Sequence, residues 1–383
     1  MTADARSSRQ HIRLTLLRAA GAAYRKSSRL TAPRSILLIR PDHLGDMLFL
    51  TPALHALRRA LPAARITLLG GPWGVDAVRH NPDLDAIETC IFPGFERQPK
   101  GSSLAPYRLL AATTRKLRGS NHDAAVILRF DHWWGAWLAA AAGIPRRIGY
   151  DWPETRSFLT QALPYRSDRH EVEQNATLLA ALAPGIAANV GATHYHITVD
   201  DHTWITDWLA AEGHDPGQRL VAIHPGAGAA VKQWPAEMWA VVANRLAERP
   251  DVRIVLTGGP GEQELVGSIA TRLARPALNA AGVTTLGQLA ALYARCALVL
   301  GSDSGPLHLA SAVDAPSVHL YGPVSPVKFG PWGDPSRHMM LRTTWPCAPC
   351  DRLDWPAAAL PQHACMTAIA PDAVLRAADS LLR

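Results

Sequence analysis

The 383-residue sequence has little cysteine and little lysine: five of each, the lysines against thirty-four arginines. The odd, sparse thiols (Cys90, Cys296, Cys347, Cys350 and Cys365) argue against a secreted disulfide scaffold and fit a reducing cytoplasm. No run of about 18 uncharged apolar residues occurs, so no membrane span is expected. G-x-S-x-G, a full Walker loop and H-E-x-x-H are all missing, which removes three common catalytic frameworks. A convincing acidic metal pair is missing too. Asp83-Leu84-Asp85 follows Asn-Pro and reads as a turn before a strand. What is present, 48% apolar and 19% charged residues, is the balance of a soluble globular chain, long for one domain and comfortable for two.

The formal charge of +7 is unevenly placed. Residues 1–34 hold eight bases (Arg6, Arg9, Arg13, Arg18, Arg25, Lys26, Arg29, Arg34) and one acid, Asp4, so the remainder sums to zero. A basic field over the body is therefore not expected, and neither is nucleic-acid binding. The arm carries Ile12, Leu16, Leu17, Ala20 and Tyr24 near one helical face, which suits an anionic membrane surface. The competing reading is a solvated tail. Arg13 and Arg18 interrupt the apolar stretch, so the arm does not read as a signal peptide.

From residue 35 strands alternate with helices. Strands are expected at 35–40, 65–69, 86–91, 123–128 and 146–149, with helices at 46–60, 74–80, 103–118, 132–142 and 170–183. After a Pro/Gly-containing segment at 184–199 the alternation restarts. Strands fit 219–224, 252–257, 277–280, 297–300 and 316–320; helices fit 235–248, 261–274, 285–294 and 304–313. The segment 321–360 breaks the pattern, and a helix over 371–382 closes the chain. This alternation implies an α/β fold with two Rossmann-like, doubly wound parallel domains facing a central cleft. The expected divisions are a basic arm (1–34), a first domain (35–200), a second domain (201–370) and a closing helix (371–383). Ligands in such sheets sit beyond the carboxyl ends of the strands, which singles out the loops 40–46, 224–234, 257–262 and 301–308.

Each loop has a chemical reading. Gly301-Ser302-Asp303-Ser304-Gly305 leads into Pro306 at a helix start, where free N–H groups and the helix dipole favour an anion. Plain capping by Ser302, Asp303 or Ser304 is the alternative. Lys232 lies on the glycine-containing loop 226–234 and is a candidate phosphate ligand. Glu262, following Gly258-Gly259, is placed to take the hydroxyls of a ribose or merely to favour a helix N-terminus. Asp46, near a helix start on the other domain, suits a general base. Asp42 is its rival, but in a Pro-Asp pair it is expected to shape the loop.

Together "LGDMLFLTPAL" (44–54), "HPGAGAAVKQWPAEMW" (224–239), "LTGGPGEQE" (256–264) and "GSDSGPLHLASAVDAPSVHLYGP" (301–323) resemble glycosyltransferase family 9, the heptosyltransferases of lipopolysaccharide assembly. The resemblance runs from about Ser35 to the end. It implies the GT-B arrangement and a cytoplasmic enzyme, possible at the inner face of the membrane as a peripheral protein. Its donor would be a nucleotide-sugar, most often ADP-heptose, and its acceptor a lipopolysaccharide core or related glycan. Asp46 matches the catalytic base, Lys232 the phosphate-binding lysine and Glu262 the ribose acid, with one slip toward Glu264 open. Asp303, Ser304, Gly305, Pro306 and His308 match the pyrophosphate loop. No cofactor and no divalent metal is implied. Asp46 would deprotonate an acceptor hydroxyl, and that oxygen would displace the diphosphate with inversion. Lys232 and the amides at 304–307 would stabilise the leaving group.

The acceptor is expected in the first domain, lined by Arg129, Asp131, His132 and Trp133 or by nothing if these form an aromatic edge. "CAPCDRLDWPAAALPQHACM" (347–366) resembles a cysteine-bearing segment of relatives, where Cys347, Cys350, His363 and Cys365 would supply ligands to a metal, or stay free thiols. Rival readings are an epimerase or a nucleotide-sugar-binding protein of the same architecture, or a nicotinamide dehydrogenase. The incomplete glycine fingerprint disfavours the last.

Overall fold

The computed structural model describes residues 8–24, 32–95, 104–186 and 190–383. Of the basic arm, Arg6, Arg25, Lys26 and Arg29 lie outside the described residues, as does the first residue of the helix expected at 103–118.

Two six-stranded parallel sheets form the frame. The first contains β1 (Ser35–Arg40), β2 (Arg65–Gly70), β3 (Ala86–Thr89), β4 (Ala124–Ile127), β5 (Arg146–Tyr150) and β6 (Gln161–Leu163). The second contains β7 (Arg219–His224), β8 (Val252–Leu256), β9 (Leu278–Asn279), β10 (Cys296–Ser302), β11 (Ser317–Tyr321) and β12 (His338–Arg342). Their orders, β3-β2-β1-β4-β5-β6 and β12-β11-β10-β7-β8-β9, are the same winding read from opposite edges. Central strands are continuous apolar runs because helices cover both of their faces. In β1, Ile36 and Leu38 enter one core while Leu37 and Ile39 enter the other.

The helices of the first half are α1 (Ser8–Ala22), α2 (Leu44–Leu48), α3 (Thr51–Ala60), α4 (Ala105–Arg118), α5 (Trp133–Ala141) and α6 (Glu171–Ala180). Then follow α7 (Val199–Ala211), α8 (Ala236–Ala247), α9 (Gln263–Ala270), α10 (Leu286–Tyr293), α11 (Gly305–Ala312), α12 (Pro326–Phe329) and α13 (Pro371–Leu381). None of the described helices is long and apolar enough to cross a membrane.

Several elements depart from the sequence reading. The helix expected over 46–60 is two, because Pro52 has no N–H to continue the first. The Thr51 hydroxyl donates to the Leu48 carbonyl at 2.7 Å and closes the break. Residues 74–80 make only a short 3-10 turn, Val75–Val78. Two edge strands, β6 and β12, were not expected, and neither was α7, whose first turn contains the 200/201 division. α7 opens on a reciprocal Thr198–Asp201 capping box. One apolar core continues from the first sheet into the second, through Leu54, Leu178, Ile205 and Leu292. A second fills the outer side of the second sheet, and a third lies on the far side of the first sheet beneath α1, α4 and α5.

Candidate active site

Both sheets change winding direction at one place, between β1 and β4 and between β7 and β10. Loops leaving neighbouring strands there diverge to opposite faces and open a crevice. Asp46 follows β1, Arg129 follows β4, Lys232 follows β7, and Asp303–His308 follow β10. All of these except the core residue Leu307 line a single cavity of about 1280 Å³, with Glu262 from the loop after β8. The two halves touch at its floor. A Cβ on Gly45 would lie 2.8 Å from His308 Cδ2, and one on Gly305 would lie 2.6 Å from Leu44 Cδ2. Only glycine lets α2 and α11 approach this closely.

On the first half, the fully buried Arg40 guanidinium organises the carboxylates. Its Nε lies 3.2 Å from Asp42, and its Nη2 lies 3.1 Å from Glu171 and 3.4 Å from Asp46. Nη1 donates to Asn175 at 2.6 Å. Asp42 also pairs with Arg129 at 2.5 Å, and Arg129 with Asp131 at 2.6 Å. Asp42 is thus a buried counter-ion between two arginines rather than a shaper of the turn. Burial alone would raise its carboxyl, but the two guanidiniums hold it below the usual range. Asp46 has the opposite balance. Burial first, then the Asp42 charge, push its carboxyl up to about 7, against the pull of Arg40. Its side chain stays 28% exposed, at the cavity wall.

On the second half, Lys232 Nζ lies 2.7 Å from Asp303, which also meets His308 Nε2 at 3.3 Å. Burial pushes the Asp303 carboxyl up, but His308 and Lys232 outweigh it and hold it at about 2. The side chains of the loop do not plug the helix start. No side chain caps α11, and the buried hydroxyls of Ser302 and Ser304 have no partner. The amides do not all contribute as expected at 304–307. Pro306 has no N–H, and Leu307 and His308 donate to the Ser304 carbonyl, which leaves the amides of Ser304 and Gly305. Glu262 accepts from the Gly259 N–H at 2.7 Å and lies 3.6 Å from His224. It therefore caps its own turn and still lines the cavity, whereas Glu264 is exposed and outside it.

The acceptor lining needs correction. Of Arg129, Asp131, His132 and Trp133, only Arg129 lines the cavity. α5 starts at Trp133, so the chain turns there. His132 is buried edge-on to Phe92 and Phe95, and burial drives its imidazole down to about 3. Trp133 points to the outer helices, under Arg13. Trp73, Ile91 and Phe95 line the first half's wall instead. Cys347 and Cys350 are exposed, Cys365 is buried, and the His363 ring packs against Trp355, tilted by 33° with the ring centroids 3.6 Å apart. Among the described residues, no three of His, Cys, Asp and Glu gather to hold a metal ion.

Residues 110–355 match the model of glycosyltransferase family 9 (heptosyltransferase). The chain belongs to this family. Lipopolysaccharide heptosyltransferase 3 of Escherichia coli is 27% identical over 298 residues, 76% of this chain and 84% of that protein. Among solved structures, the family 9 glycosyltransferase of Veillonella parvula superposes with a TM-score of 0.77 at 24% identity, covering 94% of this chain and 99% of that one. E. coli ADP-heptose lps heptosyltransferase II gives 0.71 at 22%, covering 91% and 98%. These two share the fold, and its GT-B arrangement is the one expected from the sequence. The family 9 enzyme described here is therefore a glycosyltransferase of the heptosyltransferase type.

Proposed function

We propose that this family 9 enzyme transfers a heptose, with inversion and without a metal, from ADP-heptose to a lipopolysaccharide-core or related glycolipid acceptor on the cytoplasmic side of the membrane. One observation carries the reading: Asp46 from one half and Lys232, Ser304 and Gly305 from the other line the same cavity. The diphosphate would lie on the α11 amides and Lys232, with Glu262 toward the ribose. Asp46, poised near neutrality, would take the proton of the acceptor hydroxyl as that oxygen attacks the anomeric carbon. The C–O bond to the diphosphate breaks on the opposite face, and the charge that develops there meets donors already in place. Arg129 would orient the acceptor. The donor assignment draws on the name of the E. coli structural relative, and the acceptor class on that of the E. coli heptosyltransferase 3 relative.

The test is a thermal-shift screen of nucleotide-sugars, followed by transfer to truncated core acceptors with product configuration read by NMR. Stabilisation by ADP-heptose and an inverted linkage are expected. Slow conversion of the donor without acceptor would favour the epimerase reading, and binding without turnover the binding-protein reading.

A further inference from the structure

The zero net charge of residues 35–383 hides a strongly one-signed face. α1, α4 and α5 lie side by side over the outer core of the first sheet. The Ser157 hydroxyl donates to the Leu17 carbonyl, Trp137 Nε1 donates to the Tyr24 hydroxyl, and Trp134 Nε1 donates to the Pro106 carbonyl. α1 brings Arg13 and Arg18; α4 brings Arg108, Arg115, Lys116 and Arg118; α5 brings no charge. The three helices contain no acid. Glu88, from β3, pairs with Lys116 at 2.9 Å and offsets one base.

The same face is apolar in patches. The helical face read from the sequence is divided: Leu17 is buried against the domain, with Ala20 and Tyr24 packed beside it, while Ile12 and Leu16 are 62% and 66% exposed. Leu104 and Tyr107 are 56% and 48% exposed. Arg13 lies over the Trp133 ring at 4.9 Å, and Tyr107 reaches the same ring at 6.4 Å, so α1, α5 and α4 form a continuous surface. Beneath this surface the buried His132 ring meets Phe95, a residue of the cavity wall, at 5.6 Å.

From this juxtaposition we infer that α1, α4 and α5 together form a docking surface for an anionic lipid bilayer. Arginines, a tryptophan, a tyrosine and exposed aliphatic side chains on one face are what the headgroup boundary of such a bilayer accommodates, the bases meeting lipid phosphates and the apolar groups the upper acyl region. The surface includes the body of the protein as well as its N-terminal arm. The inference deepens the proposed function by naming how a lipid-borne acceptor would be brought to the cleft.

Cosedimentation of the full chain with phosphatidylcholine vesicles, with and without phosphatidylglycerol, tests it without donor or acceptor. A failure of the transferase reading therefore leaves this result intact. Binding is expected only to the anionic vesicles and is expected to weaken with salt. Arg108→Gln with Arg115→Gln, both exposed on α4, should weaken it by more than about tenfold. Ile12→Gln with Leu16→Gln should do the same at unchanged circular dichroism. Wild-type binding by the α4 variant, equal binding to neutral vesicles, no binding at all, or displacement from vesicles by duplex DNA would each overturn the inference.

Discussion

Lys232 Nζ and Asp303 Oδ2 are 2.7 Å apart, a nearly buried ion pair formed by the loops of two adjacent strands. The lysine is thus held in place by a carboxylate that also meets His308. Lys232→Ala removes the cation that a diphosphate would meet and leaves Asp303 as the nearer charge. ADP affinity measured by calorimetry is expected to fall at least tenfold, because a charge-assisted contact is lost and a buried anion is uncovered. An unchanged dissociation constant would take Lys232 out of the donor site.

Asp46 carries a cost in stability. Its carboxyl is raised from 3.8 to about 7 in the folded state, so between these values the unfolded chain releases a proton that the native chain keeps. Stability contributed by this group is therefore full below about pH 4 and declines as pH rises toward 7. Asp46→Asn lacks the ionisation. Its melting temperature relative to wild type should rise between pH 5 and pH 8, by about 3 °C in a chain of this size. A difference independent of pH would mean that Asp46 ionises as an ordinary surface carboxylate.

Glu171 is 3.1 Å from Arg40, competes with Asp46 for it, and its charge adds to the rise of the Asp46 carboxyl. Glu171→Gln should shift the acidic limb of the kcat/KM profile to lower pH by a few tenths of a unit, with the plateau within a few-fold. A fall in the plateau with no shift of the limb would assign Glu171 a structural role only.

Gly45 and Gly305 set the distance between the halves. Gly45→Ala places a methyl group against the His308 ring and should raise the KM for the donor and lower kcat, because small misplacements in such sites are costly. The far-ultraviolet dichroism should remain. Wild-type kinetics would show that α2 and α11 need not meet this closely during turnover.

Much of this was legible from residue order. β1 and β7 appeared where expected because their apolar runs end in polar loops. The loops at 40–46, 224–234 and 301–308 carried the cavity-lining residues for the same reason. β6 and β12 were not legible: each is a short edge strand, and the half-buried pattern of His338–Arg342 resembles a loop. The carboxylate network was hidden by distance along the chain, since Glu171 and Asn175 are 131 and 135 residues from Arg40. Which of the two readings holds for His132 and Trp133 was not legible, because a helix begins at Trp133 and that phase sends successive side chains to different layers. A summed charge likewise concealed the basic face on α4, since acids elsewhere in the body cancel it.

Steady-state transfer by Asp46→Asn, with nucleotide affinity measured on the same sample, tests the central assignment most directly. A loss of at least about 10²-fold in kcat at an ADP dissociation constant within about threefold of wild type is predicted. Activity within a few-fold of wild type would contradict it.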